Sequence, residues 1–185
     1  MTGVDFMALK VDGTGSHHLD FETAITLTHQ LLDTLDQGTG SEAEIEAIVA
    51  ELVQTEAGAR GFFVAYLTDD RGFADSPSLA ILSGLRAAPE MIAPLLVKNM
   101  VMSTAMESYH RDHNNAPAAE GSVRVQQRTQ GLIRLLALPE LRTQLQAMQQ
   151  TMATGAGSYQ AFLERQGYDS HQYRAIQAAL QLLAD

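Results

Sequence analysis

Apolar residues recur three or four positions apart along most of the chain, which is the spacing of helices with one buried face. The first helix is predicted to begin near Leu19 or Asp20 and to end before Gly38. A Ser41-x-x-Glu44 capping box then starts a second helix, and the short glycine turn between the two predicts an antiparallel pair. The remaining predicted helices run from a Ser76 cap before Pro77 to about Ala87, from Ser122 to Ala137, from Pro139 to Gly155, from Ser158 to Gly167, and from an Asp169 cap onward. Residues 114–121 are expected to form a polar loop.

The segment Gly61–Leu67 is a continuous apolar run that fits either a buried strand or a buried helix. We favour a helix, because the sequence shows no partner strand. Gly58 and Gly61, three positions apart, would let another helix approach closely. A helix that is apolar on every side must be covered on every side. The exposure expected for Phe62, Phe63 and Tyr66 therefore favours a homodimer slightly over a monomer.

These patterns predict an all-α fold, a single-domain orthogonal or irregular bundle of about seven to nine helices. We expect the helical domain to span residues 19–185 and a flexible arm to span residues 1–18. No apolar run reaches the ~18 residues of a membrane span, and the first residues lack the features of a signal peptide. We therefore expect a cytoplasmic protein without membrane association.

Composition narrows the possible functions. The chain has no cysteine, which excludes disulfides and thiolate catalysis, and its net charge of −10 opposes nucleic-acid binding. Residues 98–142 nevertheless carry more basic than acidic side chains. This is either ordinary surface variation or a sign that some of the arginines there meet an acidic partner or the acidic N-terminal half. The arginines concerned are Arg111, Arg124, Arg128 and Arg134.

A methionine-rich helix from Pro94 to His113 carries the candidate chemistry. It begins either at Pro94 or at Pro89, with a kink near Pro94 in the second case. One broad face carries Leu95, Asn99, Met102, Met106, Tyr109, His110 and His113, with Ser103 at its edge. Methionine repacks easily around different surfaces. The face therefore predicts either a plain core or a small-molecule pocket lined by Asn99, Ser103, Met106, Tyr109 and His110.

The same helix holds a candidate metal site at Glu107, His110 and His113. Glu107-x-x-His110 places a carboxylate and an imidazole one turn apart, as di-iron bundles require. A second such motif is missing from the sequence, and histidines at a helix C-terminus also serve simply to satisfy its last carbonyls. We therefore predict no cofactor and keep the metal site as an alternative.

Catalysis by a nucleophile has no support, because the chain has neither a G-x-S-x-G motif nor a cysteine. Residues 158–183 resemble a helix-turn-helix in outline but lack the positive charge that phosphate contact needs. The sequence thus favours a non-catalytic helical protein that self-associates or docks a protein partner. The alternative is a small-molecule or metal-binding protein or enzyme with its site around Glu107, His110 and His113.

Overall fold

The computed structural model describes residues 19–184, and within them it contains nine α-helices and no strand. The predicted all-α class is confirmed. The arm predicted for residues 1–18 lies outside the described residues, as does Asp185. The helices are α1 (Phe21–Gln37), α2 (Glu42–Leu52), α3 (Glu56–Thr68), α4 (Leu79–Arg86), α5 (Pro89–Asp112), α6 (Ala116–Leu136), α7 (Pro139–Thr154), α8 (Gln160–Gln166) and α9 (Ser170–Ala184).

Two helix pairs, α1 with α3 and α2 with α4, form one half of the fold, and α5 packs chiefly on α6, α9 and α7 in the other half. The predicted pairing of the first two helices with each other is therefore wrong, since α1 and α2 contact each other only slightly. Both observed pairs depend on a glycine. A Cβ added to Gly61 would lie 2.6 Å from the Cβ of Ala24 in α1, and one added to Gly84 would lie 2.6 Å from that of Val49 in α2. The predicted close approach at Gly61 is therefore present. The buried apolar side chains of all nine helices form one cluster.

Local caps start several helices where the sequence predicts them. The Asp20 carboxylate accepts a hydrogen bond from Thr23 N at 2.7 Å, which fixes the start of α1. Ser41 and Glu44 form the predicted capping box of α2. The Asp169 carboxylate accepts a hydrogen bond from Gln172 N at 2.8 Å ahead of α9.

The apolar run at 61–67 is helical, as favoured, and lies within α3. Phe62, Phe63 and Tyr66 are almost fully buried inside the single chain, at 0%, 1% and 1% exposure. The Tyr66 hydroxyl donates to Phe73 O at 2.9 Å, so its polar end is also satisfied. Contrary to the prediction, these rings need no second chain for cover, because α1 and the neighbouring helices cover them. The homodimer itself stays a prediction.

Three predicted helix starts are corrected. α4 is capped by Ser78, whose hydroxyl accepts from Ile81 N at 3.3 Å, and not by Ser76. α8 begins at Gln160 without a side-chain cap, so Ser158 does not start it. The predicted loop at 114–121 is mostly helix, since Asn115 caps α6 by accepting from Ala118 N at 3.3 Å. A proline in the first turn costs a helix nothing, which is why Pro117 does not mark a loop.

α5 begins at Pro89 and contains Pro94, which agrees with the longer of the two predicted versions. Its axis meets that of α4 at 111°. Among the described helices none is by itself long and apolar enough to cross a membrane. α4 and α5 taken together would have the length and composition for it, but they are bent by 111°. α5 ends at Asp112, and Asn114 turns the chain into α6 with a φ of 56°.

Candidate functional site

One side of α5 is only partly covered by the other helices, and two depressions lie along it. The first, which we call the Met groove, has a volume of about 380 Å³ and lies between α5 and α6, with Thr68 of α3 also in its lining. It is lined by Thr68, Asn99, Met102, Ser103, Met106, Ala118, Gly121, Ser122, Arg124 and Val125. Three of the five α6 residues in this lining are small, namely Ala118, Gly121 and Ser122. Across from them Met106 is 40% exposed and Met102 is partly buried.

The second depression, which we call the basic cavity, has a volume of about 430 Å³ and lies between α1, α3, α5 and α8. It is lined by Phe21, Glu56, Arg60, Phe63, Val64, Leu95, Lys98, Asn99, Met102, Phe162, Arg165 and Gln166. The two depressions share Asn99 and Met102. They are therefore neighbours along one face of α5.

The Met groove presents an apolar surface although polar residues line it. Met106 is 40% exposed, and Val64 in the adjoining cavity is 47% exposed. The Ser103 hydroxyl is turned back to the Asn99 carbonyl at 2.7 Å, so it is occupied within α5. The surface that remains for a ligand is mainly thioether and methyl groups.

The structure brings together three of the five residues predicted to line a pocket. Asn99, Ser103 and Met106 all line the Met groove. Tyr109 and His110 lie about one turn further along α5 and do not line either depression. Tyr109 instead stacks on His113, with ring centroids 4.0 Å apart, and meets the edge of His110 at 5.6 Å.

Two of the three residues predicted as metal ligands, Glu107 and His113, contact other groups of α5. Glu107 forms an ion pair with Arg111 at 2.9 Å. His113 Nδ1 lies 2.7 Å from the Tyr109 carbonyl, a contact that satisfies the last turn of α5. Within residues 19–184 no group of three histidine, aspartate or glutamate side chains is arranged to hold a metal ion.

A contact that sequence spacing did not predict joins the end of α5 to the start of α9. His171 Nδ1 lies 2.7 Å from the Asp112 carboxylate and 3.3 Å from the Ser108 hydroxyl. A catalytic triad needs the carboxylate on one ring nitrogen and the serine on the other. Here both partners approach the same nitrogen, which cannot donate to Asp112 and accept from Ser108 at once. The arrangement therefore fastens α9 to α5 and has no triad geometry.

Sequence reasoning also missed Arg60, Lys98 and Arg165, which come from three helices and meet only at the basic cavity. Two of them lie over aromatic rings. The Arg60 guanidinium is 5.5 Å from the centre of the Phe21 ring, and Lys98 Nζ is 5.8 Å from that of Phe162. No spacing rule connects residues this far apart in the chain.

Residues 20–183 match the family described as Uncharacterised conserved protein UCP020893. The chain belongs to this family. The matched region runs from the cap of α1 to the last turn of α9, so both depressions lie inside the part that family members share. No curated protein and no solved structure gives a significant match to the chain.

Proposed function

We propose that this protein is a non-catalytic docking protein, and that the Met groove binds an acidic amphipathic helix of a partner protein. The observation that carries the proposal is that the exposed Met106 and the partly buried Met102 lie together in the Met groove. Monomeric proteins usually bury such side chains, and accessible apolar patches mark binding surfaces. Met106 is 40% exposed within a groove, with Met102 beside it.

The shape of the groove favours a helix as the occupant. The part of α5 that lines the groove runs from Asn99 to Met106. At 1.5 Å per residue that part is about 10 Å long, or roughly two helical turns. Helix-in-groove recognition places apolar residues of the ligand at i, i+3, i+4 and i+7 against such a surface. Methionine suits this role because its flexible thioether adapts to the side chains of the incoming helix.

The charge around the groove favours an acidic partner. α5 and α6 belong to the part of the chain with a surplus of basic side chains, whereas the chain as a whole has a net charge of −10. Arg124 lines the groove but pairs with Asp70 at 2.6 Å. The unpaired cations lie in the basic cavity, which adjoins the groove through Asn99 and Met102. Complementary charge at the rim would orient the partner and speed its association, with less effect on final affinity.

Fluorescence anisotropy with two labelled peptides tests the proposal. Both are about three to four turns long and carry leucine at the four helical anchor positions, and their polar face is glutamate in one and lysine in the other. We expect the glutamate peptide to bind at least about tenfold more tightly, a difference of ~1.4 kcal/mol. The double variant Met102→Gln, Met106→Gln should lose binding. Leu79→Gln is the matched control, because Leu79 is 78% exposed on α4 and lines neither depression.

Two results would contradict the proposal. Equal binding of both peptides would show that the groove does not select an acidic helix. Sedimentation equilibrium of the protein alone would be equally decisive. A dimer that the Met102→Gln, Met106→Gln variant abolishes would make the occupant a second copy of this chain, and docking of a different partner would be wrong.

A further inference from the structure

The basic cavity gathers most of the unpaired positive charge in the described part of the chain. Most lysine and arginine side chains of residues 19–184 make ion pairs or hydrogen bonds. Four make neither within those residues, namely Arg60, Lys98, Arg142 and Arg165. Three of these four line this one cavity. In a protein with a net charge of −10, such a concentration of unpaired cations indicates a site for an anionic ligand.

The inner wall of the cavity is apolar, and its residues are buried in the core. Phe63, Leu95 and Phe162 are 1%, 8% and 7% exposed, so each is anchored in the core while part of its surface faces the cavity. Arg60 and Lys98 lie over the rings of Phe21 and Phe162, which hold the cations above that wall. A ligand here would meet hydrocarbon on one side and positive charge on the other.

We infer that the basic cavity is a binding site for an amphipathic phosphate monoester, a phosphate head on an apolar body. The lining holds three cations and one carboxylate, that of Glu56, which leaves a surplus of two positive charges. A phosphate monoester carries about −1.5 to −2 at neutral pH, so it matches this surplus better than a carboxylate does. Guanidinium groups bind phosphate through two parallel hydrogen bonds, and Lys98 adds a point charge. The volume of about 430 Å³ lies within the range usual for small-molecule sites.

This inference does not depend on the docking proposal, because the cations and the three phenylalanines lie outside the Met groove. The two sites nevertheless share Asn99 and Met102. The head group is expected between Arg60, Lys98 and Arg165, and the apolar body against the Phe63 and Phe162 rings.

Isothermal titration calorimetry with four probes tests the inference: octyl phosphate, octanoate, octanol and inorganic phosphate. Octyl phosphate should bind most tightly, octanoate at least about threefold more weakly, and the other two at least about tenfold more weakly, because each lacks one half of the recognition. The triple variant Arg60→Gln, Lys98→Gln, Arg165→Gln should lose octyl phosphate binding at least about tenfold. Arg142→Gln is the matched control, since Arg142 is also an unpaired cation of the described residues but does not line the cavity.

Three outcomes would overturn the inference. If octanol bound as tightly as octyl phosphate, the cavity would recognise only the apolar body and the cations would have no role. Inorganic phosphate binding equally well would leave the apolar wall without a role. If Arg142→Gln lost as much affinity for octyl phosphate as the triple variant, the loss would come from the overall charge of the protein and not from the cavity. Circular dichroism of each variant shows whether it has folded, and single replacements of Arg60 and Arg165 provide the test if the triple variant does not fold.

Vesicles of phosphatidylcholine that contain phosphatidic acid show whether the phosphate monoester is a membrane lipid or a soluble compound. Sedimentation of the protein with these vesicles, reversed by octyl phosphate, assigns the ligand to a membrane lipid. Binding of octyl phosphate without sedimentation assigns it to a soluble compound.

Discussion

Arg128 of α6 reaches the carboxylate of Asp75, with Nε 2.7 Å from Oδ1 and a terminal nitrogen 3.0 Å from Oδ2. The same guanidinium donates to the carbonyls of Leu67 and Asp69 at 2.9 and 2.7 Å. Its side chain is only 2% exposed. The arginine thus satisfies the C-terminal carbonyls of α3 and ties α6 to the loop that leads into α4. It forms part of the frame that holds the α6 wall of the Met groove.

Replacing Arg128 is expected to destabilise the fold substantially. Arg128→Met keeps much of the side-chain volume but leaves the Leu67 and Asp69 carbonyls without their donor. Loss of a buried charged donor of this kind costs about 2–4 kcal/mol. Urea unfolding followed by circular dichroism measures the change. Arg124→Met is the control, since Arg124 pairs with the exposed Asp70 and its side chain is 45% exposed. Equal stability of the two variants would contradict this role for Arg128.

The Asp75 pair also predicts a pH dependence. The hydrogen bonds from Arg128 hold the pKa of the Asp75 carboxyl below its ordinary value in the folded state. A lowered folded-state pKa contributes stability above the unfolded pKa of about 3.9, and this contribution is lost as the pH falls through the folded pKa. The free-energy difference between the natural chain and Asp75→Asn should therefore be largest near neutral pH and shrink below about pH 4. A difference that stays constant between pH 7 and pH 3 in urea unfolding would contradict it.

Two glycines, Gly61 in a close helix contact and Gly131 facing open space, predict opposite effects of substitution by alanine. An alanine at position 61 would place its Cβ 2.6 Å from both the Ala24 Cβ and the Phe21 carbonyl oxygen. Such overpacking costs about 1–3 kcal/mol. Position 131 in α6 has no atom within 4 Å of an added Cβ, so Gly131→Ala should stabilise the helix by up to ~1 kcal/mol. Thermal unfolding of the two variants should move the midpoint in opposite directions, and a neutral Gly61→Ala would contradict the packing argument.

The parts of the fold that the sequence predicts well depend on near neighbours in the chain. The caps at Asp20, Ser41 and Asp169 bond to backbone or side-chain atoms two or three positions away, so their signals are local. The start of α6 was missed because Asn115 and Pro117 also suit a loop between two helices. Whether a proline follows one helix or begins the next depends on where the chain turns, and here the turn lies at Asn114, before Pro117.

The site was predictable only where it lies on a single helix. Asn99, Ser103 and Met106 share one face of α5, and helical spacing alone places them together. The α6 side of the Met groove and the cations of the basic cavity come from other helices, whose packing angles the sequence does not show. Arg128 is a further case. The charge distribution left open that Arg128 meets the acidic N-terminal half, and it does pair with Asp75 there. No spacing rule placed its guanidinium on the Leu67 and Asp69 carbonyls at the end of α3.

The central claim is that the Met groove recognises an acidic amphipathic helix. Methyl NMR of the protein labelled with ¹³C at the methionine methyl groups tests it most directly, since the chain has only eight methionines. Met102 and Met106 report on the groove, and the buried Met148, at 0% exposure, is the internal reference. On titration with the leucine–glutamate peptide, the signals of Met102 and Met106 should shift while that of Met148 stays in place, and the leucine–lysine peptide should have little effect. Unchanged Met102 and Met106 signals at millimolar glutamate peptide would contradict the account.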